Sequence, residues 1–460
     1  MNGMPKYLNR ILALVVVIVF YFCGVFEVFS GWGMSKPVQV SFVILLIGAT
    51  LWITEAIPLF VTSLLILFLG KTWLLGVLRE GGVKISETVF LGPFFSNIIL
   101  LFLGGFVISS ALHRYKIDED LARRIITKTG NSIPMMIAGI MGITAFLSMW
   151  LSNTATAAMM LALCIPIINS LPADDRYRKA ILLSIPFSAN IGGMGTPIGT
   201  PPNAIAIQYM QKAGIAPSFL KWMILGVPSV IGMLVIMWFV IMFFFRGTSK
   251  GIVQEFKPLK TVYSRRAKLV IAISLVTVAL WITEPIHKLS SGTVALIPVL
   301  LFFGVGFLKI NDLRALSWDV LLIMGGGLCL GEIISAGGLS NWLVARLPVD
   351  QGSFFMLAVV LGVVSCFMST LMSNTATANL IMPIVMGMGL SQVSPVLVGV
   401  AFSCSLAMSL PISTPPNALA FSTGEISVKD MLRPGLIGTI IGIVLTFTAG
   451  WWWWKIIGLY

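Results

Sequence analysis

The 460-residue chain has few charges and almost no histidine. Asp, Glu, Lys and Arg make up 10% of the residues, against about 25% in a soluble domain. The two histidines, His113 and His287, lie far in sequence from Ser152 and Ser373, the serines of the repeated motif SNTATA, so no evident general base would activate these serines as nucleophiles. The five cysteines lie in apolar runs without metal-ligand spacing. These shortages argue against an enzyme and against a cysteine-bound metal, and we expect no cofactor.

Apolar residues dominate instead. They make up 57% of the chain, and the mean hydropathy is +0.99. Long apolar runs with little charge predict a polytopic helical membrane protein. The net charge of +13 would suggest nucleic acid in a soluble protein, but here we assign it to loops that orient helices in the bilayer. The first apolar stretch, 8–29, has no small-residue cleavage site after it and is expected to be a retained helix.

The sequence contains an internal duplication. A Gly-Gly pair at 104–105 returns at 325–326, and three longer motifs keep the same order in both halves. These motifs are WITE at 52–55 and 281–284, SNTATA at 152–157 and 373–378, and TPPNA at 200–204 and 414–418. Chance does not explain three ordered repeats, so we interpret most of the chain as two copies of one unit.

Eleven helical spans are predicted, two of them interrupted. They are 8–29, 38–56, 57–76, 97–115, 180–211 (interrupted), 219–246, 267–284, 290–308, 320–337, 397–423 (interrupted) and 431–454. With the N-terminus inside, the cytoplasmic loops hold 21 of the 30 Lys and Arg residues, which favours a cytoplasmic N-terminus and an external C-terminus. The two halves then have opposite orientations, as in many secondary transporters.

Two further uncharged segments, 131–170 and 351–391, each hold an SNTATA motif near the centre. Each arm of about 19 residues could cross the membrane or form one arm of a re-entrant hairpin. Charge bias does not separate these options. The hairpin is preferred because it places SNT at a buried tip. The predicted fold is therefore an all-α polytopic membrane protein with about 11 transmembrane helices, two re-entrant hairpins, an inverted-topology repeat and two broken helices at a central site.

The SNT triplets and the broken helices are candidates for binding. Ser, Asn and Thr are common N-cap residues, so simple capping is one interpretation. Three in succession also form a donor-rich anion site at a helix N-terminus. The segments GGMGTPIGTPPN (192–203) and SLPISTPPN (409–417) cannot continue a helix, and unwound carbonyls at membrane depth are ligands for a hard cation such as Na⁺.

The two SNT tips suggest one central site with two anion-binding ends, which suits a dicarboxylate. No Lys or Arg occurs between residues 129 and 173 or between 351 and 424. Helix dipoles supply only fractional charge, so co-bound cations would help to hold a dianion. Glu55 and Glu284 of the WITE repeats are expected to have structural roles, and 118–128 is expected to be an interfacial helix.

In combination, the SNT pair, the PPN-containing broken helices and the inverted repeat resemble the divalent anion/sodium symporter family over nearly the whole chain. The resemblance implies a bacterial dicarboxylate transporter in the inner (plasma) membrane. It would be a homodimer that moves succinate, malate or fumarate with Na⁺ by an elevator mechanism. Scaffold parts would lie at 1–130 and 247–345, and transport-domain halves at 131–246 and 346–460.

The resemblance also implies the site residues. One Na⁺ site would use Ser148, Ser152, Asn153 and Gly199, and the other Ser369, Met372, Asn374 and Ser413, where Met372 and Ser413 act through backbone carbonyls. Substrate would contact Ser152, Asn153, Thr154, Thr200, Pro201, Ser373, Asn374, Thr375, Thr414 and Pro415. Because some cation ligands are backbone groups, a sodium-independent dicarboxylate exchanger is the main alternative. An inorganic anion permease or a channel is more remote.

Overall fold

The computed structural model describes residues 6–130, 132–249, 263–346, 354–390 and 392–460. Within these ranges every regular element is helical. Residues 250–262, near the start of the scaffold part predicted at 247–345, and the start of the segment predicted at 351–391 lie outside the described residues. The helical class predicted from the composition is confirmed.

The helices follow the two halves of the sequence. In the first half they are Lys6–Val25, Val28–Trp32 (3-10), Lys36–Thr54, Leu59–Leu69, Gly70–Leu74 (π), Leu75–Glu80, Thr88–Leu91, Gly92–Phe95 (3-10), Asn97–Arg114, Ile117–Lys128, Ile133–Ser148, Asn153–Asn169, Tyr177–Gly193, Pro201–Lys212 and Phe219–Phe245. In the second half they are Arg265–Ile282, Glu284–His287, Ser291–Gly304, Ile310–Arg314, Trp318–Ala336, Leu339–Val344, Phe354–Leu371, Asn374–Gly387, Val393–Ser405, Pro415–Phe421, Val428–Leu445, Thr446–Gly450 (π) and Trp451–Ile456.

Among the described residues, seven helices are long and apolar enough to cross a membrane. They are Lys36–Thr54, Leu59–Glu80, Thr88–Arg114, Phe219–Phe245, Trp318–Ala336, Phe354–Leu371 and Val428–Ile456. Shorter apolar helices accompany them. This arrangement is that of a polytopic membrane protein.

Some helix ends differ from the predicted spans. The first helix ends at Val25, because Glu27 adopts a left-handed conformation with φ of 52°. The span predicted at 290–308 ends at Gly304, two residues before Gly306 with φ of 76°. Hydropathy does not register such turns, because the residues beyond each turn are also apolar.

The repeated WITE motif closes the same turn in both halves. Trp52 and Trp281 are fully buried, and their Nε1 atoms donate to the carbonyl oxygens of Leu59 at 3.3 Å and Ser291 at 3.0 Å. Each tryptophan thereby joins the end of one helix to the start of the next. Glu284 Oε2 accepts a hydrogen bond from Ser291 Oγ at 2.7 Å, which is a structural role of the kind predicted for this carboxylate.

Small residues allow each half to pack closely on the other. A Cβ on Gly104 would lie 2.6 Å from the Ala295 Cβ, and one on Gly326 would lie 2.2 Å from the Ser63 Cβ. Helix Asn97–Arg114 therefore packs tightly on the second half, and its repeat mate packs tightly on the first. The repeated Gly-Gly pair serves this reciprocal contact, as small residues commonly do between membrane helices.

Two ion pairs join the halves at one end of the broken helices. Arg178 Nη2 lies 2.7 Å from Glu425 Oε1, and Lys179 Nζ lies 2.9 Å from Asp430 Oδ2. Arg178 also donates to the carbonyl of Ile168 at 2.8 Å. The largely buried guanidinium thus holds together the end of helix Asn153–Asn169, the start of the first broken helix and the loop that follows the second.

Candidate functional site

The serine of each SNT triplet caps the helix that follows it. Ser152 Oγ accepts a hydrogen bond from the N–H of Ala155 at 3.1 Å, and Ser373 Oγ accepts one from the N–H of Ala376 at 3.1 Å. The hydroxyl satisfies a first-turn donor, as expected of an N-cap residue. The capping interpretation is therefore correct for the serines, but it does not account for the asparagine and threonine beside them.

Asn153 lies at the centre of a cluster of oxygen atoms. One terminal atom of its amide is 2.6 Å from Ser148 Oγ, 3.1 Å from the Gly199 carbonyl oxygen and 3.3 Å from the Ala189 carbonyl oxygen. If this atom is Nδ2, its two hydrogens face three oxygens and can be donated among them. If it is Oδ1, four oxygens converge without enough protons between them, and such a set is stabilised by a cation. The hydrogen-bond network without a cation therefore fits Nδ2 at this position, and a bound cation would fit Oδ1.

The second triplet repeats this arrangement. Ser369 Oγ lies 2.7 Å from Asn374 Oδ1 and 3.0 Å from the carbonyl oxygen of Cys404. In both copies a fully buried serine, four residues before the triplet, contacts the triplet's asparagine and a carbonyl of the broken helix. We call these groups the first oxygen cluster (Ser148, Asn153, Ala189, Gly199) and the second oxygen cluster (Ser369, Asn374, Cys404).

Met372 and Ser413, the other two residues assigned to the second sodium site, lie nearby in less direct roles. Ser413 Oγ donates to the Thr370 carbonyl at 3.1 Å and accepts from the N–H of Leu410 at 3.2 Å. The Met372 N–H bonds to the Met368 carbonyl at 2.9 Å. Among the described residues no hydrogen bond joins either residue to Asn374.

The broken helices are confirmed as local structure. The helix Tyr177–Gly193 resumes at Pro201, and Val393–Ser405 resumes at Pro415. Within the first break, a Cβ on Gly199 would lie only 2.4 Å from the Gly193 carbonyl oxygen. Only glycine permits this approach of two backbone segments, and it is this approach that brings the Gly199 carbonyl to the first oxygen cluster.

The asparagine of each TPPNA motif holds the break together. Asn203 Nδ2 donates to the carbonyl oxygens of Gly193 at 2.9 Å and Thr196 at 2.8 Å. Asn417 makes two equivalent bonds of 2.9 Å to carbonyls in the second break. Both side chains are fully buried. They satisfy carbonyls that the interrupted helix would otherwise leave unpaired.

Asn190 links the two broken helices. Its Nδ2 donates to Thr414 Oγ1 at 3.0 Å and to Asn417 Oδ1 at 3.2 Å. It directly follows Ala189, whose carbonyl belongs to the first oxygen cluster. Asn190 therefore connects the first oxygen cluster, through its neighbour Ala189, to Thr414 of the other half, which was predicted to contact substrate.

Helix packing places the helix that follows each triplet beside the broken helix of the other half. Helix Pro415–Phe421 contacts Asn153–Asn169 and Tyr177–Gly193, while Pro201–Lys212 contacts Asn374–Gly387 and Val393–Ser405. Thr200 and Thr414 are buried. The remaining predicted substrate residues retain accessible surface: Ser152, Asn153, Pro201, Ser373, Asn374 and Thr375 are half-buried, and Thr154 and Pro415 are exposed.

A carboxylate fixes the start of the first broken helix. Asp175 accepts hydrogen bonds from the N–H of Tyr177 at 2.8 Å and from the N–H of Ser249 at 2.9 Å. Burial alone would raise the pKa of Asp175, but hydrogen bonds from Ser249 and Tyr177 lower it below its ordinary value. The two oxygen clusters contain no carboxylate, since their residues are Ser, Asn, Ala, Gly and Cys. Within the described ranges no three His, Cys, Asp or Glu residues group as a metal site.

Five residues of this arrangement were not predicted as site residues: Ala189, Asn190, Asn203, Cys404 and Asn417. A signal for the carbonyl ligands was present. The dipeptide Phe-Ser at 187–188, directly before Ala189, returns at 402–403, directly before Cys404. The asparagines lie in TPPNA or next to this dipeptide, but only contact geometry distinguishes their roles.

Broken apolar helices, repeated oxygen clusters and membrane-length helices are typical of a membrane transporter. More specifically, residues 49–394 and 289–458 match the citrate transporter family, and the chain belongs to that family. The resemblance to divalent anion/sodium symporters is confirmed with it.

Relatives are similar over most of the chain. The sodium-dependent dicarboxylate transporter SdcS of Staphylococcus saprophyticus is 36% identical over 436 residues, covering 86% of this chain and 82% of that protein. SdcS of Staphylococcus aureus strain USA300 is 34% identical over 444 residues, covering 87% and 83%. The inorganic phosphate transporter PHO87 of Saccharomyces cerevisiae is 30% identical over 425 residues, covering 88% of this chain but 45% of that protein.

A solved structure has a similar fold. The YdaH transporter of Alcanivorax borkumensis aligns with a TM-score of 0.53 at 12% identity, covering 81% of this chain and 88% of that one.

Proposed function

We propose that the protein is a secondary active transporter that moves dicarboxylates of the succinate, malate and fumarate type across the cytoplasmic membrane together with Na⁺. The observation that carries this proposal is the duplicated oxygen cluster. Each copy brings neutral oxygens from a buried serine, an asparagine amide and a broken helix to the tip of an SNT triplet. The name of the two SdcS relatives supports the same substrate and ion.

The electrostatic argument requires a cation. No Lys or Arg occurs at 132–173, 180–211 or 354–424, the stretches that hold the groups of both clusters, and helix N-termini offer about half an elementary charge each. A dicarboxylate transferred from water would recover little of its hydration energy from such dipoles. A Na⁺ in each cluster would add a full charge beside each carboxylate. In the first cluster this Na⁺ would require the orientation of the Asn153 amide in which Oδ1 faces the other oxygens.

The substrate would lie between the two triplets. Its carboxylates would contact Asn153 and Thr154 at one end and Asn374 and Thr375 at the other. The bond from Asn190 to Thr414 supports a shared site, because it joins the two broken helices at the level of the predicted contacts. Thr200, Pro201 and Pro415 would complete the walls.

Membrane topology is part of the proposal. Helices Ile133–Ser148 and Asn153–Asn169 have 16 and 17 residues. They would rise about 24–26 Å, less than the hydrocarbon core of about 30 Å, which supports a re-entrant hairpin. Phe354–Leu371, with 18 residues, is long enough to cross, so its assignment to a second hairpin depends on the repeat.

Cysteine labelling tests this topology. In a cysteine-free background, a single cysteine at Ser249 should label from the cytoplasm and one at Lys288 from outside. This result would support inverted halves with a cytoplasmic N-terminus and an external C-terminus. Labelling of both from one side would contradict the arrangement.

Transport would proceed by an elevator motion. The two hairpins and broken helices would move as one body against a scaffold formed by the remaining helices of a homodimer. The ion pairs Arg178–Glu425 and Lys179–Asp430 support a single moving body, because they tie the two transport-domain halves together.

A sodium-independent dicarboxylate exchanger is the first alternative, and the Nδ2-inward orientation of Asn153 favours it, because that orientation satisfies the cluster without a cation. An inorganic anion transporter is a second candidate, which the similarity to a protein named as a phosphate transporter favours.

Uptake of radiolabelled succinate into proteoliposomes separates these functions. Symport predicts uptake that follows an inward Na⁺ gradient and is not inhibited by excess phosphate. Uptake that depends only on internal dicarboxylate would indicate the exchanger, and competition by phosphate would indicate an inorganic anion transporter.

A further inference from the structure

An apolar cavity of about 500 Å³ lies beside the first SNT triplet. One wall is the end of helix Ile133–Ser148 and the turn after it, including Phe146, Trp150 and Leu151. Helix Arg265–Ile282 forms the facing wall with Ser274, Val278 and Trp281. The cavity therefore separates an element of the proposed moving body from an element of the proposed scaffold.

The chemistry of the walls selects a hydrocarbon occupant. The lining is almost wholly aliphatic and aromatic, so water within it would lack hydrogen-bond partners. Two other oxygen-bearing side chains of the lining already have partners: Asp118 bonds to His113 Nδ1 at 3.0 Å, and the hydroxyl of Tyr263 donates to Asp120. Phe146 and Leu275 are 49% and 63% exposed, so the cavity is open to the surroundings of the helices, and a flexible chain could enter from the bilayer.

A polar group inside the cavity points to a ligand with a hydrogen-bond acceptor. Ser274 is 7% exposed, and its Oγ has no hydrogen-bond partner among the described residues. By contrast, the hydroxyl of Thr277 on the same helix has a partner, because it donates to the carbonyl of Ile273 at 2.8 Å. A buried hydroxyl without a partner is costly, and an acyl-ester carbonyl would satisfy it.

The end of the same helix provides a site for a negative head group. Arg265, Arg266 and Lys268 are exposed at the N-terminus of helix Arg265–Ile282, and none forms an ion pair within the described ranges. Tyr263, just before this helix, lines the cavity, and the first lining residue within the helix is Ile271, less than two turns after Arg265. Basic clusters at the end of a membrane helix attract anionic lipid head groups.

The geometry points to a structural lipid site: an acyl chain of an anionic phospholipid fills this cavity, its ester carbonyl accepts from Ser274, and its head group lies over Arg265, Arg266 and Lys268. The lipid then forms the packing surface against which Phe146 and Trp150 hold the first SNT turn. This site does not depend on the proposed transport function, because lipid binding is measured without substrate or Na⁺.

Lipid retention by purified protein tests the site. Native mass spectrometry of wild-type protein should show one phosphatidylglycerol per chain that resists detergent exchange. Ser274→Phe fills the cavity and should lose this lipid. Ala272→Phe adds the same ring on an exposed position of the same helix and should keep it. Equal retention by the two variants, or retention of detergent in place of phospholipid, would overturn the proposal. Ser274→Leu replaces Ser274→Phe if the larger side chain prevents a monodisperse preparation.

A fluorescence measurement tests the position of the chain. The Trp150 component of the fluorescence is the difference between the emission of wild-type protein and that of Trp150→Phe. In nanodiscs, phosphatidylglycerol with brominated acyl chains should quench this component. In a Ser274→Phe background this component should be unquenched. An unquenched Trp150 component in otherwise wild-type protein would show that no acyl chain lies in the cavity.

Discussion

Replacement of Ser148 by alanine should weaken sodium binding at the first oxygen cluster. Ser148 is fully buried, and its Oγ is 2.6 Å from the Asn153 amide and 2.8 Å from the Ala189 carbonyl oxygen. Alanine removes one of the four oxygens and leaves a gap of one atom, so we expect the backbone to keep its position.

The magnitude follows from the number of ligands. A hydrogen bond or dipole contact to a charged group contributes about 1.5–3 kcal/mol. Loss of one neutral oxygen should therefore raise the sodium concentration for half-maximal succinate uptake by about 10- to 150-fold. The second oxygen cluster keeps Ser369, so the uptake curve should become less steep in sodium and not merely shift.

Ser184→Ala is the matched control. Ser184 is also fully buried, and its Oγ donates to the Ile181 carbonyl at 2.7 Å in the same broken helix, away from the cluster. Each variant removes one buried hydroxyl, so both should lower the thermal stability. A change in sodium dependence that is equal in both variants, or absent from Ser148→Ala, would refute the assignment of the cluster as a cation site.

Three further outcomes are expected. Asn374→Ala and Asn153→Ala should each weaken succinate binding by about 10- to 150-fold, because each removes hydrogen-bonding groups beside a carboxylate. If a variant binds succinate with wild-type affinity in a calorimetric titration, its triplet serves only as a helix N-cap. Asn203→Leu removes two bonds to carbonyls of the first break and should destabilise the protein by about 1–3 kcal/mol, measured by thermal unfolding in detergent. The pKa of Asp175 is lowered in the folded protein, so Asp175 stabilises the fold above its unfolded pKa of about 3.9 and loses this contribution as the pH falls through its folded pKa. Asp175→Asn should lower the unfolding temperature at pH 7, and the unfolding temperature should then fall less steeply as the pH is lowered.

The sequence alone predicted the breaks and the triplets well, because their signals are local. Proline and glycine in 192–203 interrupt a helix wherever it is placed, and three cap-type residues after an apolar run begin a new helix. The repeat then marked which of these local features belong together. Ser148 and Ser369, carried over from the family resemblance, lie in equivalent contacts with their asparagines.

The carbonyl ligands are marked only by the repeated Phe-Ser dipeptide that precedes them, and the asparagine cross-link has no local signal. Ala189 and Cys404 contribute backbone oxygens, so their side chains carry no chemical signal. Asn190 bonds to a residue 224 positions away, and it has no asparagine counterpart in the second half. Long-range contacts of this kind are fixed by helix packing and not by local pattern.

Titration calorimetry of the purified protein with succinate, in sodium and then in choline, tests the central claim most directly. Linkage requires that Na⁺ raise the affinity for succinate by the same factor by which succinate raises the affinity for Na⁺. The proposed clusters predict binding in sodium, little or no binding in choline, and equal coupling factors from the two titrations. Equal succinate affinity in both salts would contradict sodium coupling and leave the two triplets as an anion site of an exchanger.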